Sequence, residues 1–296
     1  MAENVQDIKR RIKSVNSTKQ ITHAMELVAS AKLRKSRELA EGRRPYFEAM
    51  IESMGRIVEK SGSTRNVFMN QREVKKIAYI VITGDKGLAG GYNANVAKMV
   101  EDHITNKEDA YIYAVGSRGR DHFRNRDYTI QGEYLGISER PSFFNAREVA
   151  TVVMEGFKKG EYDEVYIAYT KFLSTISQHA QLMKLIPINT EDLKSENKNE
   201  EKNATLQDSD LTIMAYEPDP EELLNQLIPN FVSSTVYGAM IESAASEQGA
   251  RRTAMESATT NANEMIDGLT LKYNRVRQAA ITQEISEIVG GAEALK

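Results

Sequence analysis

One periodicity constrains this chain more than any other feature. From Leu224, counting by threes and fours, the positions are Leu227, Phe231, Ser234, Gly238, Ile241, Ala245, Gln248, Arg252, Met255, Thr259, Ala262, Ile266, Leu269, Tyr273, Val276 and Ala280. The register holds over 56 residues without a slip. No proline falls between Pro229 and Gly290. A helix of that length spans about 100 Å at 1.5 Å per residue. A sustained heptad seam requires a partner helix and left-handed supercoiling. The second half, Met255 to Ala280, is apolar at every seam position except Thr259. The middle is small or polar, so helices approach closely there or the seam loosens.

The partner lies at the other end of the chain. Val5, Ile8, Ile12 and Val15, then Ile21, Met25 and Val28, mark one stripe of a helix from about residue 3 to 41. Phe47, Met50, Met54 and Ile57 resume that spacing, so Gly42 and Pro45 read as a kink in one helix. Two terminal helices around an intervening domain are most simply joined as an antiparallel intramolecular coiled coil.

Between them the pattern becomes α/β. Ile77–Thr83, Ala110–Val115 and Glu164–Thr170 are short β-branched and aromatic runs that predict buried strands. Helical stretches near Ala94–Ile104 and Ala146–Phe157 separate them, as in a parallel, Rossmann-like sheet. Gln181–Ile188 and Leu211–Tyr216 are two further expected strands, and 191–207 reads as an exposed loop poor in apolar residues. The expected organisation is therefore an N-terminal coiled-coil helix at 1–59, an α/β domain at 75–217 and a C-terminal coiled-coil helix at 220–290.

The 296 residues are enough for two domains. With no Cys, a disulfide framework, a thiolate nucleophile and a Cys-ligated metal are excluded. The longest apolar run is about seven residues, against the roughly 20 that cross a bilayer. The start, MAENVQDIKRRIK, lacks the apolar core of a signal peptide. A soluble, intracellular chain without bilayer insertion is expected. The net charge of −3 makes no case for a nucleic-acid partner. Charge is nonetheless uneven: residues 1–44 carry eleven Lys/Arg against five Asp/Glu, and residues 191–222 carry eleven acids against three bases.

Candidate chemistry is sparse. Thr83–Tyr92 is a glycine-rich turn after a strand, where a phosphate loop would sit, but Gly84, Gly87 and Gly90 give G-x-x-G-x-x-G, which matches neither dinucleotide nor P-loop spacing. A tight turn needing positive φ is the plainer reading. Gly116–Arg120, with Arg124 and Arg126 nearby, is a second anion candidate set against a solvated basic helix face. His23, His103, His122 and His179 show no metal spacing, and no nucleophile elbow exists. Neither a cofactor, a metal site nor a catalytic residue is expected.

Five blocks carry a resemblance. Ile281–Ala294 (ITQEISEIVGGAEA), preceded by Arg275–Ala280, is similar to the C-terminal block of the gamma subunits of bacterial-type F-type ATP synthases. Ile21–Lys32 with Arg43–Tyr46, Thr83–Asn93 and Tyr216–Pro220 resemble the same family, in family order along essentially the whole chain. The resemblance implies a non-catalytic central rotor shaft, one copy per complex. It would stand on the membrane c-ring with the epsilon subunit, at the cytoplasmic face of the membrane. Its coiled coil would enter the hexameric ring of alpha and beta subunits and couple ion flow to ATP synthesis or hydrolysis.

By the same resemblance, Arg277, Gln278, Thr282, Glu284 and Glu287 supply breakable polar contacts to catalytic-subunit loops. Met25 faces the catalytic lever segments or, on the plainer reading, fills the seam. Tyr216, Glu217, Pro218 and Asp219 contact the membrane ring. His23 stands where several relatives have Lys, and 191–207 lacks the cysteines of photosynthetic relatives. A shaft should also turn without sticking, so small or polar outward residues are expected on the coil. A nucleotide-binding α/β enzyme with a coiled-coil arm for a substrate such as transfer RNA, and a generic coiled-coil scaffold, remain the alternatives.

Overall fold

The computed structural model of the chain describes residues 5–61, 66–175, 177–189 and 219–294. The elements in order are α1 (Val5–Ser61), β1 (Ile77–Ile82), α2 (Tyr92–His103), β2 (Ala110–Val115), α3 (Ser117–Arg124), β3 (Thr129–Tyr134), α4 (Phe143–Lys159), β4 (Glu164–Phe172), β5 (Gln178–Ile186) and α5 (Pro220–Ala294). Two compact units result, one from Met1–Ser30 with Arg251–Lys296, the other from Ala31–Ala250.

In the larger unit the sheet order is β3-β2-β1-β4-β5. β1 pairs in parallel with both β2 and β4, and β3 in parallel with β2. The expected parallel strands β1, β2 and β4 thus form the centre, and β5, running antiparallel to β4, makes the sheet mixed. β1 is central and buried from Ala78 to Ile82, which is why its sequence is a continuous apolar run instead of an alternating one. Strand β3 is an edge strand with alternating burial (TIQGEY), and its glycine and three polar residues hid it from a hydrophobicity reading. The short, basic α3 lies where the sequence suggested a basic helix face. The strand expected at Leu211–Tyr216 and the loop at 191–207 lie outside the described residues.

The two faces of the sheet are covered differently. One packs α2 and α3 through Val96, Ala97, Val100 and Phe123. The other packs α4, the stretch Met50–Val58 of α1 and the stretch Leu224–Met240 of α5. Helix α4 is closed by a Ser142/Asn145 capping box and by Gly160 at φ 75°. Helix α1 continues through Pro45 as one element. Within this unit α1 and α5 run antiparallel: Arg43 bonds to Ser234 O, and farther along α1 Phe47 stacks on Phe231. From Val232 to Gly249, α5 is buried almost all round, so the small and polar residues there serve close packing on several neighbours, not a loosened seam. Gly238 shows why: a Cβ on it would land on the Arg43 guanidinium.

In the smaller unit the heptad reading is visible in exposure. Met255 and Ala262 are buried and Thr259, Ile266, Leu269, Tyr273, Val276 and Ala280 half-buried. Thr22 Oγ1 lies 2.7 Å from Thr259 Oγ1 across the seam. Two expected seam residues of α1 are corrected. Ile21 is 60% and Val28 55% exposed, while Thr22 and Ala29 are buried in their place. Small side chains let paired helices approach closely, so packing chose them over their larger apolar neighbours.

Candidate functional site

Three places carry the residues singled out from the sequence. At the end of α5, Arg277, Gln278, Thr282, Glu284 and Glu287 are all exposed. Helical spacing alone sets them out, since α5 is unbroken through this stretch. Arg277 lies over the Tyr273 ring at 5.9 Å, anchored at a half-buried seam position. The hydroxyls of Thr282 and Ser286 donate to the carbonyls of Gln278 and Thr282, both at 2.9 Å, and Gln283 Nε2 donates to Glu287 Oε1 at 2.9 Å. These are local bonds within one helix, so the outward amide of Gln278 and the carboxylate of Glu284 face solvent.

Sequence reasoning missed what lies between them. Ile281, Ile285, Ile288 and Val289 are 46%, 56%, 72% and 56% exposed. Their spacing places them along one helix face. Every described side chain from Ile281 to Ala292 is exposed. The surface is thus apolar as well as polar, contrary to the expectation of small or polar outward residues. The signal was present in the sequence, an apolar spacing continuing past Ala280 with no further partner residues assigned to it.

On α1, Met25 is half-buried, and Ile21, Leu27 and Val28 around it point outward. His23 Nδ1 is 3.4 Å from Glu26 Oε2. At the start of α5, Asp219 is exposed and its carbonyl accepts from Leu223 N at 3.0 Å. Tyr216, Glu217 and Pro218 lie outside the described residues.

The two glycine-rich turns meet at the carboxyl edge of the sheet, where the chain's own carboxylate occupies the anion position. Asp85 Oδ1 accepts from Ser117 N, the first residue of α3, at 3.0 Å, and Asp85 Oδ2 accepts from Ser138 Oγ at 2.8 Å. Burial pushes the Asp85 carboxyl up, but bonds from Gly136, Ser138 and Ser117 outweigh it and hold the group below the usual carboxylate range. Glu139 is held low in the same way, its burial outweighed by Lys32 at 2.8 Å and Lys86 at 3.1 Å. Positive φ at Leu88 (62°) and Gly90 (56°) is what the tight-turn reading required. Three of the arginines after β2 are engaged with acids: Arg120 with Asp121, Arg124 with Glu133, and Arg126 with Glu101. Arg118 is exposed, with its guanidinium beside Gly87. Among the described residues no cluster of His, Asp or Glu forms a metal-ligand set, and no helix is long and apolar enough to cross a membrane.

A protein-family model described as ATP synthase matches residues 4–295. The chain is 80% identical, over all of both chains, to the "ATP synthase gamma chain, sodium ion specific" of Acetobacterium woodii. It is 52% identical, again over all of both, to the ATP synthase gamma chain of Alkaliphilus metalliredigens. Among solved structures, a chain of the central stalk and c-ring of Tetrahymena thermophila mitochondrial ATP synthase is similar at TM-score 0.60 and 25% identity, covering 80% of this chain and 99% of that one. A chain of the Euglena gracilis mitochondrial enzyme shares the fold at TM-score 0.67 and 18% identity, covering 98% of this chain and 94% of that one.

Proposed function

The chain belongs to the ATP synthase gamma chain family, the non-catalytic central-stalk subunit of that complex, and from that premise we propose how its residues work as a torque shaft. One copy stands in each complex. The exposed end of α5, with Arg277, Gln278, Thr282, Glu284 and Glu287 set among Ile281, Ile285 and Ile288, sits inside the ring of alpha and beta subunits. The apolar face slides as a bearing, because burial against a smooth apolar sleeve has no preferred direction. The polar groups supply the angular preference through hydrogen bonds of about 1 kcal/mol net each. Met25 and its outward neighbours on α1 meet the catalytic lever segments. Asp219, with Tyr216, Glu217 and Pro218, meets the membrane c-ring and epsilon at the cytoplasmic face.

The observation that carries this reading is the change in α5 at Ala280: seam residues turn inward up to that point, and every residue from Ile281 to Ala292 turns outward. Such a segment needs an external sleeve. Rotation drives catalysis only if each angle favours a different catalytic-subunit state through differential contacts. The ion that turns the rotor is sodium on this reading, supported by the sodium-specific relative at 80% identity; it is selected elsewhere in the complex. The test is a tagged chain, full length or ended before Gln278, co-purified with its partners. The full-length chain brings down alpha, beta and epsilon and restores sodium-stimulated ATP synthesis. Unchanged synthesis with the shortened chain would end the torque role of these residues.

A further inference from the structure

The glycine turn after β1 is not explained by a shaft, and neither is a wholly buried glutamate on α5. In open α/β sheets small ligands bind outside the carboxyl ends of the strands, where the strand order reverses. Here the order reverses between β1 and β4. The residues at that point are Thr83 and Gly84 after β1 and Thr170 near the end of β4. Helix α5 lies in that position. Glu247 is 0% exposed. Its carboxyl group is flat against Gly84: a Cβ on that glycine would be 2.9 Å from both Cδ and Oε1. Gly84 has no room to retreat, because its N–H donates to Asn93 Oδ1 at 2.8 Å and its carbonyl accepts from Arg118 N at 3.1 Å.

Two serines one turn apart complete the fit. Ser243 Oγ accepts from Thr170 N at 3.2 Å, and Ser246 Oγ donates to Thr170 O at 3.0 Å. Beyond Ala168, β4 has no β1 residue beside it, so these hydroxyls serve backbone groups the ladder leaves open. Gly249 then packs against Phe172 and Gln178 on the hairpin joining β4 to β5. Asp85 repeats the theme at α3.

We propose that α5 is the resident ligand of the α/β domain, with the Glu247 carboxylate seated on Gly84 in the crevice that such sheets ordinarily offer to a small anion. The helix is keyed to the sheet at this seat, which is thereby closed to soluble nucleotide or phosphate. This goes beyond the shaft reading and does not depend on it. Removing Glu247 leaves a vacancy of the size and shape of acetate, the fragment lost in Glu247→Ala.

Hydrogen exchange on the full-length chain tests it. In Glu247→Ala the Thr170 amide exchanges about tenfold faster than in the unaltered chain, as local opening becomes easier. Sodium acetate restores most of the protection, and sodium chloride at equal ionic strength does not. Gly84→Ala, which crowds the same seat from the sheet side, loosens the same amide and is the readout should Glu247→Ala not fold. Unchanged exchange in the variants, or acetate and chloride acting alike, overturns the proposal.

Discussion

Arg43 and Gly238 allow a prediction in which one substitution changes sign. The Arg43 guanidinium lies in the space left by the missing Cβ of Gly238. Its Nη1 donates to Ser234 O at 2.5 Å, its Cζ is 5.1 Å from the centre of the Phe47 ring, and it faces Glu242, Tyr237 and Tyr169. Gly238→Ala expels it. The lost bond from a charged donor is worth about 1.5–3 kcal/mol, and the lost contact with Phe47 about 0.5–1 kcal/mol. Against this, Ala is better than Gly inside a helix by about 1 kcal/mol. The net cost is roughly 2 kcal/mol, a fall of about 3 °C in melting temperature for a chain of this size. In an Arg43→Ala background the space is empty and only the propensity term remains, so the same substitution stabilises by about 1 kcal/mol. A double-mutant cycle by denaturant unfolding of the full chain measures both legs. If Gly238→Ala destabilises the Arg43→Ala chain as much as the unaltered one, the account of this packing is wrong.

Three further outcomes are expected. Thr22→Val alone lowers stability by about 1 kcal/mol, because Thr259 loses a bonding partner, whereas Thr22→Val combined with Thr259→Val is close to neutral; chemical denaturation distinguishes them. Asp85→Asn costs about 1 kcal/mol near neutral pH, a figure already reduced for solvent screening. Because the folded carboxyl lies below its usual range, the difference between the two chains is fully present above the unfolded pKa and vanishes as the pH falls through the folded value. Ile285→Asn with Ile288→Asn changes the stability of the isolated chain by less than about 0.5 kcal/mol, since both are exposed, while recovery of alpha and beta subunits with the tagged chain falls several-fold.

The central strands were readable because β1, β2 and β4 hold apolar runs of five or six residues, too short to be anything but buried strands in such a pattern. β3 was not, because an edge strand is covered on one side only and tolerates Gln131, Gly132 and Glu133. The exposed polar residues at the end of α5 were found by resemblance, while the isoleucines among them were passed over. Hydrophobicity was treated as a mark of the seam, and on this helix it also marks the outward face.

What the sequence determined by itself was the pair of long helices and, from Met255 to Ala280, the register of α5. A heptad is a property of neighbours along the chain, and Met255 to Ala280 face inward as counting alone requires. Which small residues the neighbouring elements would fill was decided only by the tertiary structure. Ile21 and Thr22 are adjacent and differ in hydrophobicity in the wrong direction, yet Thr22 is the buried one. Gly238 is filled by a guanidinium almost two hundred residues earlier, and Gly84 is covered by a carboxylate from α5. The energy in each case comes from matching shapes and charges between segments distant along the chain, and a pattern read along one segment does not contain that information.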